Sequence, residues 1–550
     1  TGLTSDQVSF LRGVRTLEGS GNWRRRLTPL GDIVNSQPVV VDSATFLTSM
    51  GDFLSGATKY AAFQTKASGR RSQVYVGAND GMLHGFNTST GAETFAFIPS
   101  AVVSGLSVLT NKTYNTDSSL HRFYVDGTPV VSDVYFSSDN EWHTVLVGTL
   151  GGGGKEVFAL DVTDPDNVKL LWEFTSQTDT DLGYTYSTPY ISKLHTGDWG
   201  VIFGSGYNGN NGNASLFILN AETGASIAKL TTPASNPKVD NGLSSPVILD
   251  ANSDGIADYA YAGDLLGNLW RFDLIKPGSL TDPAVASNYK VSFAGKPLFT
   301  ASAPTAGAAA QSITAPPVVW PHPSGTGTLI IFGTGRYFTS ADKTSTDLQS
   351  LYGIWDPLTA GQTAIAPAGT TAQAALSRSN LQAQTMSTAN GSIGSVSGFR
   401  TISTNGVDWT TKYGWYLDLR SGTTATGERM VDLLDIQGSV LFVATRTPIT
   451  GVCDAGVQGK RLGLDPNTGG ATAFSIFDFS RNGIIGVEDT LSGAIISGFD
   501  SAAGGFAVVA GNGPSGLSTV YNGDGLNSAM LAFTGFQYSG RQSWRVIPSP

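Results

Sequence analysis

One short phrase, repeated along the whole chain, constrains the fold more than any other feature. It is three or four apolar β-formers closed by a small residue or glycine. It stands at Val74–Gly77, Val145–Gly148, Val201–Gly204, Tyr259–Gly263 and Leu329–Gly333, with weaker copies at Val440–Ala444 and Ala507–Gly511. The copies lie mostly about 55 to 70 residues apart. Several continue alike. Gly77 leads through Asn79-Asp80-Gly81 to Leu83–Asn87, Gly148 through a glycine run to Val157–Asp161, Gly204 through a Gly/Asn turn to Leu216–Asn220, and Gly263 through Leu266-Gly267-Asn268 to Leu269–Asp273. Each unit is an apolar strand, a turn whose Gly or Asn supplies positive φ, and an alternating strand ending in Asp or Asn. Such a unit cannot bury both faces alone, but copies stacked radially can, which is the logic of a propeller. A β-solenoid or two sandwiches would be the other ways to stack it.

The expected fold is therefore all-β: a modified seven-bladed β-propeller with long inserted loops, spread over residues 1–550, with residues 1–30 as a lead-in. Two stretches rich in Ala, Thr, Ser, Gly and Gln, at about 279–315 and 357–412, break the rhythm and read as inserted loops. Within the second, Ala372–Met386 carries a thin apolar stripe that could form a short helix.

Composition fits this reading and excludes others. Glycine is 68 of 550 residues, and charged residues are 14%, well below ordinary usage, which points to many-turned β structure. The formal net charge is −10 and no basic patch dominates, so nucleic acid is not an expected partner. The single cysteine, Cys453, excludes a disulfide scaffold or a Cys-ligated metal within the chain. His84, His121, His143, His195 and His322 are scattered, without metal-ligand spacing. No apolar run is long enough for a transmembrane helix. The opening TGLTSDQVSF is no signal peptide and reads as a cut inside a longer precursor.

The chemistry concentrates in Asp250-Ala-Asn252-Ser-Asp254-Gly255-Ile256-Ala-Asp258. Counting from Asp250, oxygen-bearing side chains occupy positions 1, 3, 5 and 9, glycine occupies position 6, and Ile256 at position 7 has only its backbone carbonyl to offer. These are the first nine positions of an EF-hand-type loop. Three carboxylates and one amide place about −3 against the +2 of a hard cation that wants six to eight oxygens, so Ca²⁺ is the expected ion. Position 12 is Tyr261, so the usual bidentate Glu is missing and Asp258 or water must complete the shell. No flanking helix pair is evident, which makes this a calcium staple rather than a calmodulin-like sensor. A second candidate runs from Asp478 through Ser480, Asn482, Gly483 and Ile484 to Asp489, with only two carboxylates in ligand places and Arg481 inside the loop. Weaker binding is expected there.

These residues also carry a resemblance. LGDIVNSQPVVV (30–41), VYVGANDGMLHGF (74–86), TVLVGTLGGGGKEVFALDVTDP (144–165), YAGDLLGNLWRFDL (261–274), FGTGRYF (332–338) and RQSWR (541–545) make the chain similar, in family order over nearly its whole length, to the propeller domain of the PilC/PilY family of type IV pilus biogenesis and tip-associated adhesin proteins. The resemblance implies a non-enzymatic, quinoprotein-like propeller. It implies secretion to the outer membrane, cell surface or pilus tip of a Gram-negative bacterium. It further implies a calcium loop at Asp250, Asn252, Asp254, Ile256 and Asp258 that governs pilus extension against retraction, twitching motility and adhesion. The implied partners are minor pilins and the pilus machinery, with a host-cell or surface receptor as a further candidate, and the domain is expected to be monomeric. The lone Cys453 departs from members with more cysteines, and no Arg-Gly-Asp tripeptide occurs.

Three rival functions would need other features. A quinoprotein dehydrogenase needs an adjacent cysteine pair that one cysteine cannot supply. A sialidase-like enzyme needs Asp-box phrases; Ser137–Trp142 is a poor imitation and reads as a hairpin. A host- or glycan-binding adhesin module without a regulatory role could use the ten Trp and eighteen Tyr, although Trp172, Trp270, Trp355 and Trp415 lie within apolar strand phrases and read as core.

Overall fold

The computed structural model of the chain describes residues 2–235, 238–303, 310–358, 376–449, 456–501, 506–509, 518–522 and 531–533. Each of the seven phrases is a strand: Gln73–Gly77, Trp142–Thr149, Trp199–Gly204, Tyr259–Gly263, Thr328–Gly333, Val440–Ile449 and Phe506–Val509. Cys453 and the end of the seventh phrase lie outside the described residues. Antiparallel hairpins follow as the turns require. Val201 faces Leu219, Val147 faces Ala159, Ile331 faces Gly353 and Val443 faces Leu462.

The chain divides into two compact units, one built mainly from Thr1–Ala260 and Phe272–Lys290, the other from Tyr261–Arg271 and Val291–Ser543. In the first unit, Val39–Val41, Gln73–Gly77, Leu83–Asn87 and Glu93–Phe97 form one four-stranded sheet, and Val130–Tyr135, Trp142–Thr149, Glu156–Asp161 and Lys169–Thr175 form another. A five-stranded sheet orders Ser226–Thr231, Ser215–Asn220, Trp199–Gly204, Tyr190–Leu194 and the short parallel strand Ile256–Ala257. Between its first two strands the chain inserts two helices, Thr48–Ser55 and Tyr60–Ser68. Their Leu54, Tyr60 and Phe63 join Trp142, Val201, Phe203 and Phe217 in one buried cluster.

The glycines that close the first and third phrases have a packing reason. A Cβ on Gly77 would stand 2.3 Å from the Val125 carbonyl oxygen, and one on Gly204 2.1 Å from that of Ser244. The next stretch of chain crosses where a side chain would be. Ser36 and Ser187, each two residues before a proline, accept the N–H groups of Gly77 and Gly204 at 2.9 and 2.8 Å.

In the second unit, Val318–Pro321, Thr328–Gly333, Ser350–Asp356, Gly414–Asp418 and Gln382–Gln384 form a five-stranded sheet. Met386–Ala389, Phe399–Ile402, Gly498–Ser501, Gly456–Leu464, Val440–Ile449 and Asp435–Gln437 form a six-stranded one. Two expectations change here. The stretch 357–412 is not only a loop: residues 382–402 supply three strands to these sheets, one pairing in parallel with Trp415–Leu417. The described part of Ala372–Met386 holds a single 3₁₀ turn, Arg378–Asn380, followed by strand, not a helix. Sheet edges in need of partners override the weak helical stripe. Ser137–Trp142 is a hairpin as expected, with Asn140 at φ +59°. Trp172, Trp270 and Trp415 are buried, while Trp355 is half-buried against the core.

Candidate metal centre

The Asp250–Asp258 loop joins strand Val247–Leu249 to strand Ile256–Ala257. Its backbone is set by two left-handed residues, Ser253 at φ +62° and Gly255 at φ +84°, which turn the chain sharply at the fourth and sixth positions. That turn gathers the polar groups. Asp250 accepts the N–H groups of Asp254 (3.1 Å) and Gly255 (2.6 Å). Asn252 Oδ1 also accepts from the Asp254 N–H, and Asp254 Oδ1 accepts the Ile256 N–H at 2.9 Å. The Asn252 amide donates to Asp254 Oδ2 and to the Leu280 carbonyl. Asp258 is fully buried. One oxygen accepts the Ala251 N–H at 2.7 Å, and the other meets Nε2 of buried His195 at 2.8 Å.

The expected residues Asp250, Asn252, Asp254, Ile256 and Asp258 thus share one tight turn. Their carboxylates are taken up by loop N–H groups, and among the described residues no three acidic, histidine or cysteine side chains already converge as a chelating group. The donor set nevertheless suits a hard cation. Each carboxylate oxygen that accepts one N–H keeps a second lone pair. Burial pushes the Asp250 carboxyl up; the Gly255 and Asp254 N–H groups pull it down, and the neighbouring Asp254 and Asp258 charges push it up again. A divalent ion would relieve that crowding of negative charge.

Two partners were missed in the sequence. His195 is 63 residues from Asp258, and no local spacing signals the pair. The helix Thr48–Ser55 packs on the turn itself: a Cβ on Gly255 would stand 3.0 Å from Met50 Sδ and 3.1 Å from Leu54 Cδ2.

The second loop repeats the same local design. Asp478 accepts the N–H groups of Asn482 (3.2 Å) and Gly483 (2.8 Å), the fifth and sixth positions. Arg481 is at φ +59° and Gly483 at φ +81°. Asn482 Oδ1 accepts the Ile484 N–H, the Ser480 hydroxyl donates to Asp478, and buried Asp489 accepts the Ser480 N–H at 2.8 Å. It gathers fewer carboxylates, as its sequence predicted.

Residues 30–397 match the family model of the PilY1 β-propeller domain. The chain belongs to the PilY1 β-propeller family. Its all-β sheets are those of a propeller, and its resemblance to pilus proteins stands on the full sequence. It is 42% identical to the type IV pilus biogenesis factor PilY1 of Pseudomonas aeruginosa strain UCBPP-PA14, over 99% of this chain and 48% of that protein. A PilY1 homolog of Xylella fastidiosa is 37% identical over 100% of this chain and 41% of that protein. The chain therefore spans about half the length of the curated relatives it matches. The crystal structure of the Pseudomonas aeruginosa PilY1 C-terminal domain matches with a TM-score of 0.74 and 40% identity, covering 90% of this chain and 99% of that one.

Proposed function

We propose that this chain is a non-enzymatic, calcium-binding propeller of a type IV pilus protein, acting at the outer membrane or pilus tip of a Gram-negative bacterium. Calcium in the Asp250–Asp258 loop biases pilus extension against retraction, and with it twitching motility and surface adhesion. Minor pilins and the pilus machinery are its partners. The single observation that supports this reading most is the loop itself: three carboxylates and an amide folded onto one turn, with the Asp250 carboxyl pushed up by burial and then by the Asp254 and Asp258 charges. Asp250, Asn252 and Asp254 supply side-chain oxygens, Ile256 its carbonyl, and Asp258 the buried wall of the site, held by His195. The bound ion would neutralise this cluster. Binding to the folded form stabilises it by roughly 2.7 kcal/mol at a hundredfold excess over Kd.

The test is calorimetry with Ca²⁺ on the intact chain and on Asp254→Ala. Asp254 is the better probe, because Asp258→Ala would also strand buried His195. The loop signal should vanish in Asp254→Ala while the far-UV spectrum is kept; unchanged affinity would end the assignment. The Asp478–Asp489 loop is proposed as a weaker second site through Asp478, Ser480, Asn482, Ile484 and Asp489, and Asp478→Ala should then remove the weaker of two binding events. A bacterium carrying Asp254→Ala in the full-length protein should lose calcium-responsive twitching.

One observation favours an added adhesive role. Phe123, Tyr184 and Tyr186 are exposed, and Phe123 and Tyr186 close over Gly152. Partly exposed aromatic side chains beside polar turns suit sugar contacts. A glycan screen on wild type and Phe123→Ala would separate adhesion from regulation.

A further inference from the structure

The helices Thr48–Ser55 and Tyr60–Ser68 are anchored differently. Tyr60 is fully buried, and its hydroxyl donates to the buried carboxylate of Asp133 at 2.7 Å while accepting the Phe46 N–H at 2.6 Å. Phe63 and Ala67 are buried in the same cluster. The second helix is therefore tied to the sheet strand Val130–Tyr135 by contacts that involve no metal ligand. The first helix is eight residues long and, like the nine-residue second, has no side-chain N-cap hydrogen bond. One side of it is held by the second helix, with Asp52 accepting the Tyr60 N–H at 3.0 Å and the Thr48 hydroxyl donating to Gln64 Oε1 at 2.6 Å, and the other side by the metal loop. A helix that short is marginal without tertiary packing. Its buried side chain Leu54, with Met50, rests on Gly255 of the metal loop, and Ile256 packs on the same cluster. Phe53, on the same helix, is 59% exposed.

We propose that helix Thr48–Ser55 is the element that reads the occupancy of the Asp250–Asp258 loop, through Met50 and Leu54 resting on Gly255 and Ile256. This rests on the calcium reading above and names how the site is coupled to the surface. With the cation bound, the turn at positions 5 to 7 is fixed and presents a firm wall to Leu54. Without it, the turn is held only by its own N–H···carboxylate hydrogen bonds, it loosens, and the first helix loses the loop side of its support while the second stays anchored on Asp133. Met50 and Leu54 are positioning residues: they touch the loop backbone, not the ion. Calcium thereby alters a surface patch that already exposes Phe53 and Leu47.

Hydrogen–deuterium exchange of the intact chain, in Ca²⁺ and in chelator, tests this, with calorimetry on the same sample. Amides of residues 49–56 should exchange at least tenfold faster in chelator, while those of residues 61–68 change less than twofold. In Leu54→Ala, calorimetry should still record calcium, but residues 49–56 should exchange fast in both conditions. Calcium heat without any change at residues 49–56 would overturn the coupling alone. Equal slowing across both helices would also overturn it, since that marks general stabilisation. Absence of calcium heat in the wild type would overturn the reading of the loop, and the coupling with it.

Discussion

Gly255 and Gly278 both sit at φ +84°, yet their surroundings differ completely. Alanine at either position must adopt a left-handed backbone, at a cost of about 1–2 kcal/mol. At Gly278 a Cβ meets nothing within 4 Å, so Gly278→Ala measures that strain by itself. At Gly255 the Cβ would press on Met50 Sδ at 3.0 Å and Leu54 Cδ2 at 3.1 Å, so both neighbours must give way. Overpacking of this kind adds about 1–3 kcal/mol. Gly255→Ala should therefore cost about 2–5 kcal/mol in total, and the excess over Gly278→Ala should shrink when Leu54→Ala is added. Urea titrations of the four variants, followed by tryptophan fluorescence, give both numbers. Equal destabilisation at the two glycines would refute the claim that the first helix bears on the loop.

Three further outcomes are expected. Glu156 is fully buried, and burial together with the hydrogen bond to Glu173 pushes its carboxyl up from 4.5 to about 8. The folded chain keeps a proton that the unfolded chain releases, so stability falls as pH rises through that window; Glu156→Gln should lose this slope in denaturation series at pH 5 and above pH 8. Tyr60→Phe removes the hydroxyl that links Asp133 to the Phe46 N–H and should cost about 1–3 kcal/mol in a urea melt. Asp356→Ala takes the carboxylate from buried Arg271 (2.9 Å) and from the Tyr261 hydroxyl, a loss of about 3–5 kcal/mol readable by the same method.

The strand plan was legible because its signal is local. Apolar β-formers followed by glycine mark Val201–Gly204 without knowledge of its neighbours. The metal loop was legible for the same reason, since Asp250, Asn252, Asp254 and Gly255 act on one another within six residues. What escaped depends on distant partners. The helix Thr48–Ser55 is short and lacks a side-chain N-cap bond, and it forms because Gly51 packs on the Tyr60 ring and Leu54 finds Gly255 two hundred residues away. Gln382–Gln384 looks like loop and becomes strand because Trp415–Leu417 offers it an edge. His195 looks idle until Asp258 is placed beside it.

The closing glycines also decide where this scaffold can change. With the Ser244 carbonyl where a side chain at 204 would stand, and the Val125 carbonyl doing the same at 77, those points tolerate no growth. The turns just beyond them are tight as well: a Cβ on Gly81 would stand 2.2 Å from Leu106 Cδ2, and one on Gly206 2.0 Å from the Tyr184 carbonyl oxygen. After Gly77 the chain needs only residues 78–82 to begin its next strand, whereas after Gly333 it wanders through residues 334–349 before Ser350. Added length is therefore accommodated in the long connection after Gly333 rather than in the short buried turn after Gly77, and the ladder behind each keeps its alignment.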